Sequence, residues 1–247
     1  MSVLTEIRDG VMILTLNRPE AGNSLNPAVG AGIVAAIDEA NSNPAVRTLI
    51  VTGAGEKIFC AGMDLKAFAA GENMALVAAG LSKLTKCVKP VIAAVNGMAL
   101  AGGFEVMMKC DLVVAADHAK FGIPEVKRGL VAAGGGTRLA RRIPLQIALE
   151  LGLTGEPISA ARALELGLIN RVVPAADVMN TALALAALIT ANGPLAVQAT
   201  KRLMWDEIGE DPLEHIGTTV APVFASEDAR EGATAFAQKR APEWKGR

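Results

Sequence analysis

"PVIAAVNGMALAGGFEVMMKCDLVVAA", residues 90–116, decides the fold. Its two ends, "PVIAAV" and "DLVVAA", are apolar, of strand length and bounded by turn or polar residues. Between them Asn96-Gly97 marks a turn, Gly102 and Gly103 stand together, and the composition after Gly103 favours a helix. Strand, helix and strand in that order predict an α/β architecture with parallel pairing. The same stretch raises a chemical question. Glu105 stands among Phe104, Val106, Met107 and Met108. A carboxylate buried without a partner either costs free energy or shifts its pKa upward, so the position needs a reason.

Outward from this unit, "RTLIVTG" (47–53) reads as another buried strand. "VLTEI" and "VMILTL" are joined through Asp9-Gly10, a hairpin signal, because glycine supplies the positive φ of such turns. "NPAVGAGIVAAIDEANSN" predicts a helix with Asn26 as N-cap and Pro27 at its first position. After about residue 140 the pattern turns helical: Ser159 caps "AARALELGL", "INRVVP" is extended, and helices follow over 174–192, about 195–208 and about 226–239. No low-complexity linker, fixed-length repeat or charge block interrupts the chain, so the helical part is expected to pack on the core or on a neighbouring subunit.

At 247 residues the chain can bury one large core. Its longest apolar helix candidate, "TALALAALITA" (181–191), is about half the roughly 20 residues a membrane span needs. The opening "MSVLTEIRDG" contains acids and no apolar core of a signal peptide, so a cytoplasmic location without membrane is expected. A formal net charge of -1 and 3% aromatic residues, with no tyrosine, speak against a nucleic-acid partner. Cys60, Cys87 and Cys110 are scattered without metal-ligand spacing and read as reduced, packed thiols. With only His118 and His215, a multi-histidine metal site is out of reach, and neither stands near a nucleophile motif; both read as surface residues.

The glycine-rich stretches "TGAGEKIFCAG" (52–62) and "AAGGGTRL" (132–139) match neither phosphate-binding spacing. "FCAGMDL" and "LAGGFE" allow something else. Met63 follows a glycine turn, and Gly102 opens a helix whose first N–H groups lack internal partners. Two such N–H groups converging would make an oxyanion hole, although glycines at these places equally serve tight turns and close packing. A second acid, Glu125 in "KFGIPEVKRG", could hold a water together with Glu105, one as base and the other as acid. It reads equally well as an exposed first-turn acid.

A run of segments then resembles the enoyl-CoA hydratase/isomerase (crotonase) family: "NRPEAGNSLN", "VTGAGEKIFCAGMDLKAF", "KPVIAAVNGMALAGGFE", "CDLVVAADHAKFGIPEVKRGL", "GGGTRL", "LTGEPISAARALELGLINRVVP" and "SEDAREGATAFAQKRAPEWKGR". Each piece is modestly specific; their order and spacing over the whole length are very specific. The closing segment most resembles the branch with the crotonobetainyl-CoA (carnitinyl-CoA) hydratases. The resemblance implies a crotonase-like spiral of ββα units over 1–194, with a helical region over 195–247 for oligomerisation and active-site cover, assembled as a trimer or a dimer of trimers. It implies that the Met63 and Gly102 N–H groups grip the thioester oxygen of an acyl-CoA. Ala61, Met63, Asp64, Leu65 and Lys66 would line the CoA, with Lys66 near its phosphates. Glu105 and Glu125 align with the two glutamates of the hydratases, which favours addition of water to a trans-2-enoyl-CoA. No metal is implied, nor any cofactor beyond the coenzyme A that the substrate carries.

The alternatives are a crotonobetainyl-CoA hydratase, an enoyl-CoA isomerase and a non-catalytic acyl-CoA binder of the same fold. "VAAGGGTRL" is one residue shorter than the family's usual loop and lacks its proline. Lys127 and Arg128 are charged where many hydratases are apolar; they either favour a polar acyl group or face solvent. A trimethylammonium substrate would call on aromatic walls, for which Phe68, Phe104, Phe236 and Trp244 are the candidates.

Overall fold

Asp9 and Gly10 both adopt positive φ, 49° and 78°, and fold β1 (Val3–Arg8) back on β2 (Val11–Leu16) with Arg8 opposite Val11. Such a two-residue turn matches the natural twist of paired strands. The hairpin is the outer edge of a six-stranded sheet in the computed structural model of the chain, which describes residues 1–207 and 224–243. His215 and Trp244 lie outside the described residues.

The core repeats one step three times. β3 (Thr48–Gly53), β5 (Val91–Val95) and β7 (Leu112–Ala116) lie side by side in the large sheet, all parallel. Each is followed by a short strand, β4 (Ile58–Cys60), β6 (Met98–Leu100) or β8 (Lys120–Gly122), and these three run parallel in a second sheet. The chain thus alternates between two sheets and then crosses over, which is the expected ββα spiral. The large sheet ends in β10 (Arg171–Val173), parallel to β7, and the small one in β9 (Ile158–Ser159), antiparallel to β8. β3, β5 and most of β7 are fully buried, which explains their near-continuous apolar sequence in place of alternation. The two buried threonines of β3 stay satisfied, Thr48 Oγ1 donating to the Pro90 carbonyl and Thr52 Oγ1 to the Ala94 carbonyl.

Nine α-helices occur among the described residues. Asn26 caps α1 (Pro27–Ser42) by accepting from the Val29 N–H at 3.0 Å, as its sequence predicts. α2 (Leu65–Ala69) and α3 (Ala75–Thr85) follow β4, and α3 crosses α1 so closely that a Cβ on Gly30 would stand 2.3 Å from the Leu76 carbonyl oxygen. α4 (Gly102–Met108) follows β6 and is buried at every residue. Next come α5 (Leu145–Thr154), Ser159-capped α6 (Ala160–Glu165) and α7 (Val178–Thr190). α8 (Pro194–Glu207) is tied to the core by Asp111, whose carboxylate accepts from Trp205 Nε1 and pairs with Lys201 Nζ at 2.8 Å. α9 (Glu227–Gln238), capped by Ser226, returns to pack on α2 and on the 3-10 turn Pro124–Arg128 of its own chain.

The three cysteines are buried and unpaired, and burial pushes the Cys60 thiol up to about 12. His118 is half exposed beside Asp117, as its polar neighbours predict. Among the described residues no single helix is long and apolar enough to cross a membrane, and no cluster of potential ligands could hold a metal ion.

Candidate active site

The carboxyl ends of β4, β6 and β8 point the same way, and each carries one part of the site: Met63 after β4, Gly102 and Glu105 after β6, Glu125 after β8. Crevices at the ends of parallel strands are natural ligand sites, because the chain must turn there and leaves backbone groups unpaired. Both candidate N–H groups follow a residue with positive φ, Gly62 at 98° and Ala101 at 52°. Ala101 is a non-glycine held in a sparsely populated conformation, a strain of about 1–3 kcal/mol that surrounding structure must impose. Its own N–H is bonded to the Gly122 carbonyl at 2.9 Å.

Met63 pairs with Leu25 in a short parallel bridge: Leu25 N–H donates to the Gly62 carbonyl, and Asp64 N–H to the Leu25 carbonyl. Successive N–H groups of an extended segment face opposite sides, so that of Met63 turns away from Leu25. Gly102 lies against it, since a Cβ there would stand 3.5 Å from Met63 N and 3.1 Å from Leu25 Cδ1. As the first residue of α4, Gly102 has no intrahelical partner for its N–H. The two donors expected from the sequence therefore sit side by side.

The segment Ala61–Lys66 is braced from a region that the residue-level reading left without a role. Arg18 donates to Asp64 Oδ2 at 2.9 Å and to the Ser24 carbonyl at 2.8 Å, while Asp64 Oδ1 caps α2 by accepting from the Lys66 and Ala67 N–H groups. Desolvation is the largest single influence on Asp64 and pushes its carboxyl up. The hydrogen bonds and charge of Arg18 and the two N–H groups outweigh it, so Asp64 titrates below the usual range. Asp64 and Leu65 are half-buried, and Ala61 and Lys66 are exposed, which leaves the Lys66 ammonium free to meet an anion. Asn23, buried with φ 53°, adds side-chain bonds to the Ala54 and Ile58 carbonyls. The signal for this brace was the quoted "NRPEAGNSLN", but no local rule connects Arg18 to a residue 46 positions away.

Glu105 is 4% exposed. Its Oε1 accepts from the Gly136 N–H at 2.8 Å, and a Cβ on Gly134 would stand 2.3 Å from Oε2. The glycine run that fails both phosphate-binding patterns is thus a cradle for a carboxylate. Burial raises the Glu105 pKa; the Gly136 N–H, Lys109, the Gly134 N–H and Arg138 oppose it. Glu125 is raised to about 8 by burial and then by the charge of Glu105, and its Oε2 is buried with no hydrogen-bond partner among the described residues. The structure brings the two acids together in unequal surroundings: cations and N–H groups work against the rise at Glu105, while burial and the charge of Glu105 favour a proton on Glu125 at neutral pH.

Lys127 pairs with Glu156 at the surface, and the Arg128 guanidinium lies 5.0 Å from the centre of the Phe236 ring. Phe104 is fully buried in the core, and Phe68 meets Phe224 edge-on at 5.9 Å.

With this geometry in place, comparison with known proteins is decisive. The sequence profile of the enoyl-CoA hydratase/isomerase family matches residues 6–247. The chain belongs to that family. It is 44% identical to the enoyl-CoA hydratase EchA19 of Mycobacterium tuberculosis, over 99% of this chain and 96% of the relative. It is 41% identical to the carnitinyl-CoA dehydratase of Proteus mirabilis, over 97% of each. Among solved crotonase-fold structures, a carnitinyl-CoA hydratase from Mycobacterium avium superposes with a TM-score of 0.92 at 46% identity, covering 100% of this chain and 99% of that one.

Proposed function

We propose that the chain is an enoyl-CoA hydratase, adding water reversibly to a trans-2-enoyl-CoA to give the 3-hydroxyacyl-CoA. The observation that carries this reading is the buried pair Glu105 and Glu125, unequally surrounded, beside the adjacent Met63 and Gly102 N–H groups. A thioester carbonyl oxygen held by those two N–H groups leaves C2 and C3 facing the acids. Glu105 takes a proton from the attacking water as its oxygen bonds to C3. The C2–C3 π electrons move toward the thioester, and negative charge collects on the oxygen between the two donors. Glu125 delivers its proton to C2. The proton that Glu105 gained and Glu125 lost is exchanged before the next turnover, and dehydration runs the same steps backwards.

The CoA lies along Ala61–Lys66 in this reading, with Lys66 near its phosphates, and coenzyme A enters only as part of the substrate. Residues 1–194 form the catalytic core and 195–247 the region that covers the site and builds a trimer or dimer of trimers, in the cytoplasm. The names of the relatives make crotonobetainyl-CoA the second substrate to try. Of the aromatic candidates among the described residues, Phe236 already carries a guanidinium on its face and Phe104 is sealed in the core, which leaves Phe68 for a trimethylammonium group.

The test is hydration of crotonyl-CoA, followed as loss of the conjugated thioester absorbance, with crotonobetainyl-CoA in parallel. Turnover by wild type and a loss of at least about 100-fold in both Glu105→Gln and Glu125→Gln is expected. Full activity in either variant would refute the paired-acid reading. An inactive wild type that still binds CoA esters would point to the non-catalytic alternative.

A further inference from the structure

Lys109 is the C-cap of α4, four residues and so about one helical turn after Glu105. It is 8% exposed, at the end of a helix whose other residues around Glu105 are apolar or glycine. Buried lysines are rare unless something of opposite charge or strong polarity receives them. Its Nζ lies 3.4 Å from Thr85 Oγ1 of α3 and 3.4 Å from where a Cβ on Gly135 would be, which places it under the glycine run that cradles Glu105.

A cavity of about 10 Å³ opens there, lined by Glu105, Met108, Lys109, Gly135, Arg138 and Arg142. That is about the room one water requires. Glu125 does not line it. Among the described residues, the charged groups around Glu105 are Lys109 from the end of its own helix, Arg138 and Arg142 from the 3-10 turn Gly136–Arg141 and its end, and Glu125. The α3 side adds the neutral Thr85, and the β4 side the Cys60 thiol, which stays protonated.

We propose that Lys109 is a positioning residue of the reaction: its ammonium, sharing that water-sized cavity with Glu105, is the counter-charge that keeps the general base ionised beside a second acid. This rests on the paired-acid reading above. The placement explains how two adjacent carboxyl groups divide their roles. Lys109, Arg138 and the Gly134 and Gly136 N–H groups all favour the charged form of Glu105, whereas the charge acting on Glu125 is that of Glu105 itself, which biases the negative charge of the pair toward Glu105. A lysine that merely filled space or held Thr85 would have no such consequence.

The test is the pH profile of kcat/KM for crotonyl-CoA in wild type, Lys109→Met, Lys109→Gln, Lys109→Arg and Glu105→Gln. Loss of a cation raises the pKa of a carboxyl group, so the acid limb of both uncharged variants should move up by about one pH unit. The result is about a tenfold loss on the acid side and little change on the plateau, with KM within about twofold. Lys109→Arg should keep the wild-type limb. A uniform loss at every pH in folded Lys109→Gln, or an Arg variant displaced as far as the uncharged ones, assigns Lys109 a structural role and overturns the proposal. Failure of the underlying reading looks different: Glu105→Gln would then retain the wild-type acid limb.

Discussion

Glu105 accepts a 2.8 Å hydrogen bond from the Gly136 N–H and feels the charges of Lys109 and Arg138, whereas Glu125 Oε2 is buried with no hydrogen-bond partner among the described residues and feels the charge of Glu105. The same side chain thus meets two different surroundings. Burial raises Glu105 as well, but it sits on a regular helix where N–H groups and cations oppose that rise. Glu125 sits on a 3-10 turn after Pro124, where burial and like charge favour the neutral form. What separates the two acids is position in the fold, not residue type.

The sharpest way to break this contrast is to neutralise one member at a time. Glu105→Gln should cost about 1,000-fold in kcat at neutral pH with little change in KM, within the range for a general base. Because its charge contributes to holding Glu125 at about 8, the residual activity should lose its alkaline limb at a lower pH than wild type does. Glu125→Gln should cost about 100-fold and abolish the fall in activity above about pH 8, since no proton is left there to titrate. An alkaline limb that survives in Glu125→Gln would reassign the acid.

A smaller effect is expected from the cradle. Gly134→Ala places a methyl group 2.3 Å from Glu105 Oε2, which must push the carboxylate out of line, and a drop of about tenfold or more in kcat with a native circular dichroism spectrum should follow. Gly193→Ala, where nothing stands within 4 Å, is the control and should leave rate and folding unchanged. The smallest effect belongs to the brace: Asp64→Asn loses the charge that pairs with Arg18 and should raise the KM for the CoA ester several-fold with kcat nearly intact. If kcat fell instead, the Arg18–Asp64 pair would be acting on the oxyanion hole and not on CoA.

How far the fold could be read in advance depended on the range of the forces involved. The Asp9-Gly10 hairpin, the Asn26 cap with Pro27 behind it, the Ser159 cap and the buried strands β3, β5 and β7 were legible because each rests on backbone preferences or side-chain bonds within a few residues. The turns before Met63 and Gly102 were legible for the same reason, while their role as N–H donors came from the family resemblance. The Gly134–Gly136 run was legible only as flexible chain. Its role depends on Glu105, 31 residues before the donating N–H, and no periodicity carries that information. Lys127 read as a charge that either shapes the pocket or faces solvent; its pairing with Glu156 decided for the surface.

By itself the sequence determined the order of elements, the turn chemistry and the presence of two acids near two glycine turns. Over the whole length its motifs also carried the family. Only the tertiary structure decided how differently the two carboxyl groups are surrounded. That depends on how far each carboxyl group is removed from water and on which cations and N–H groups the folded chain brings to it, and these are distances between residues far apart in the chain.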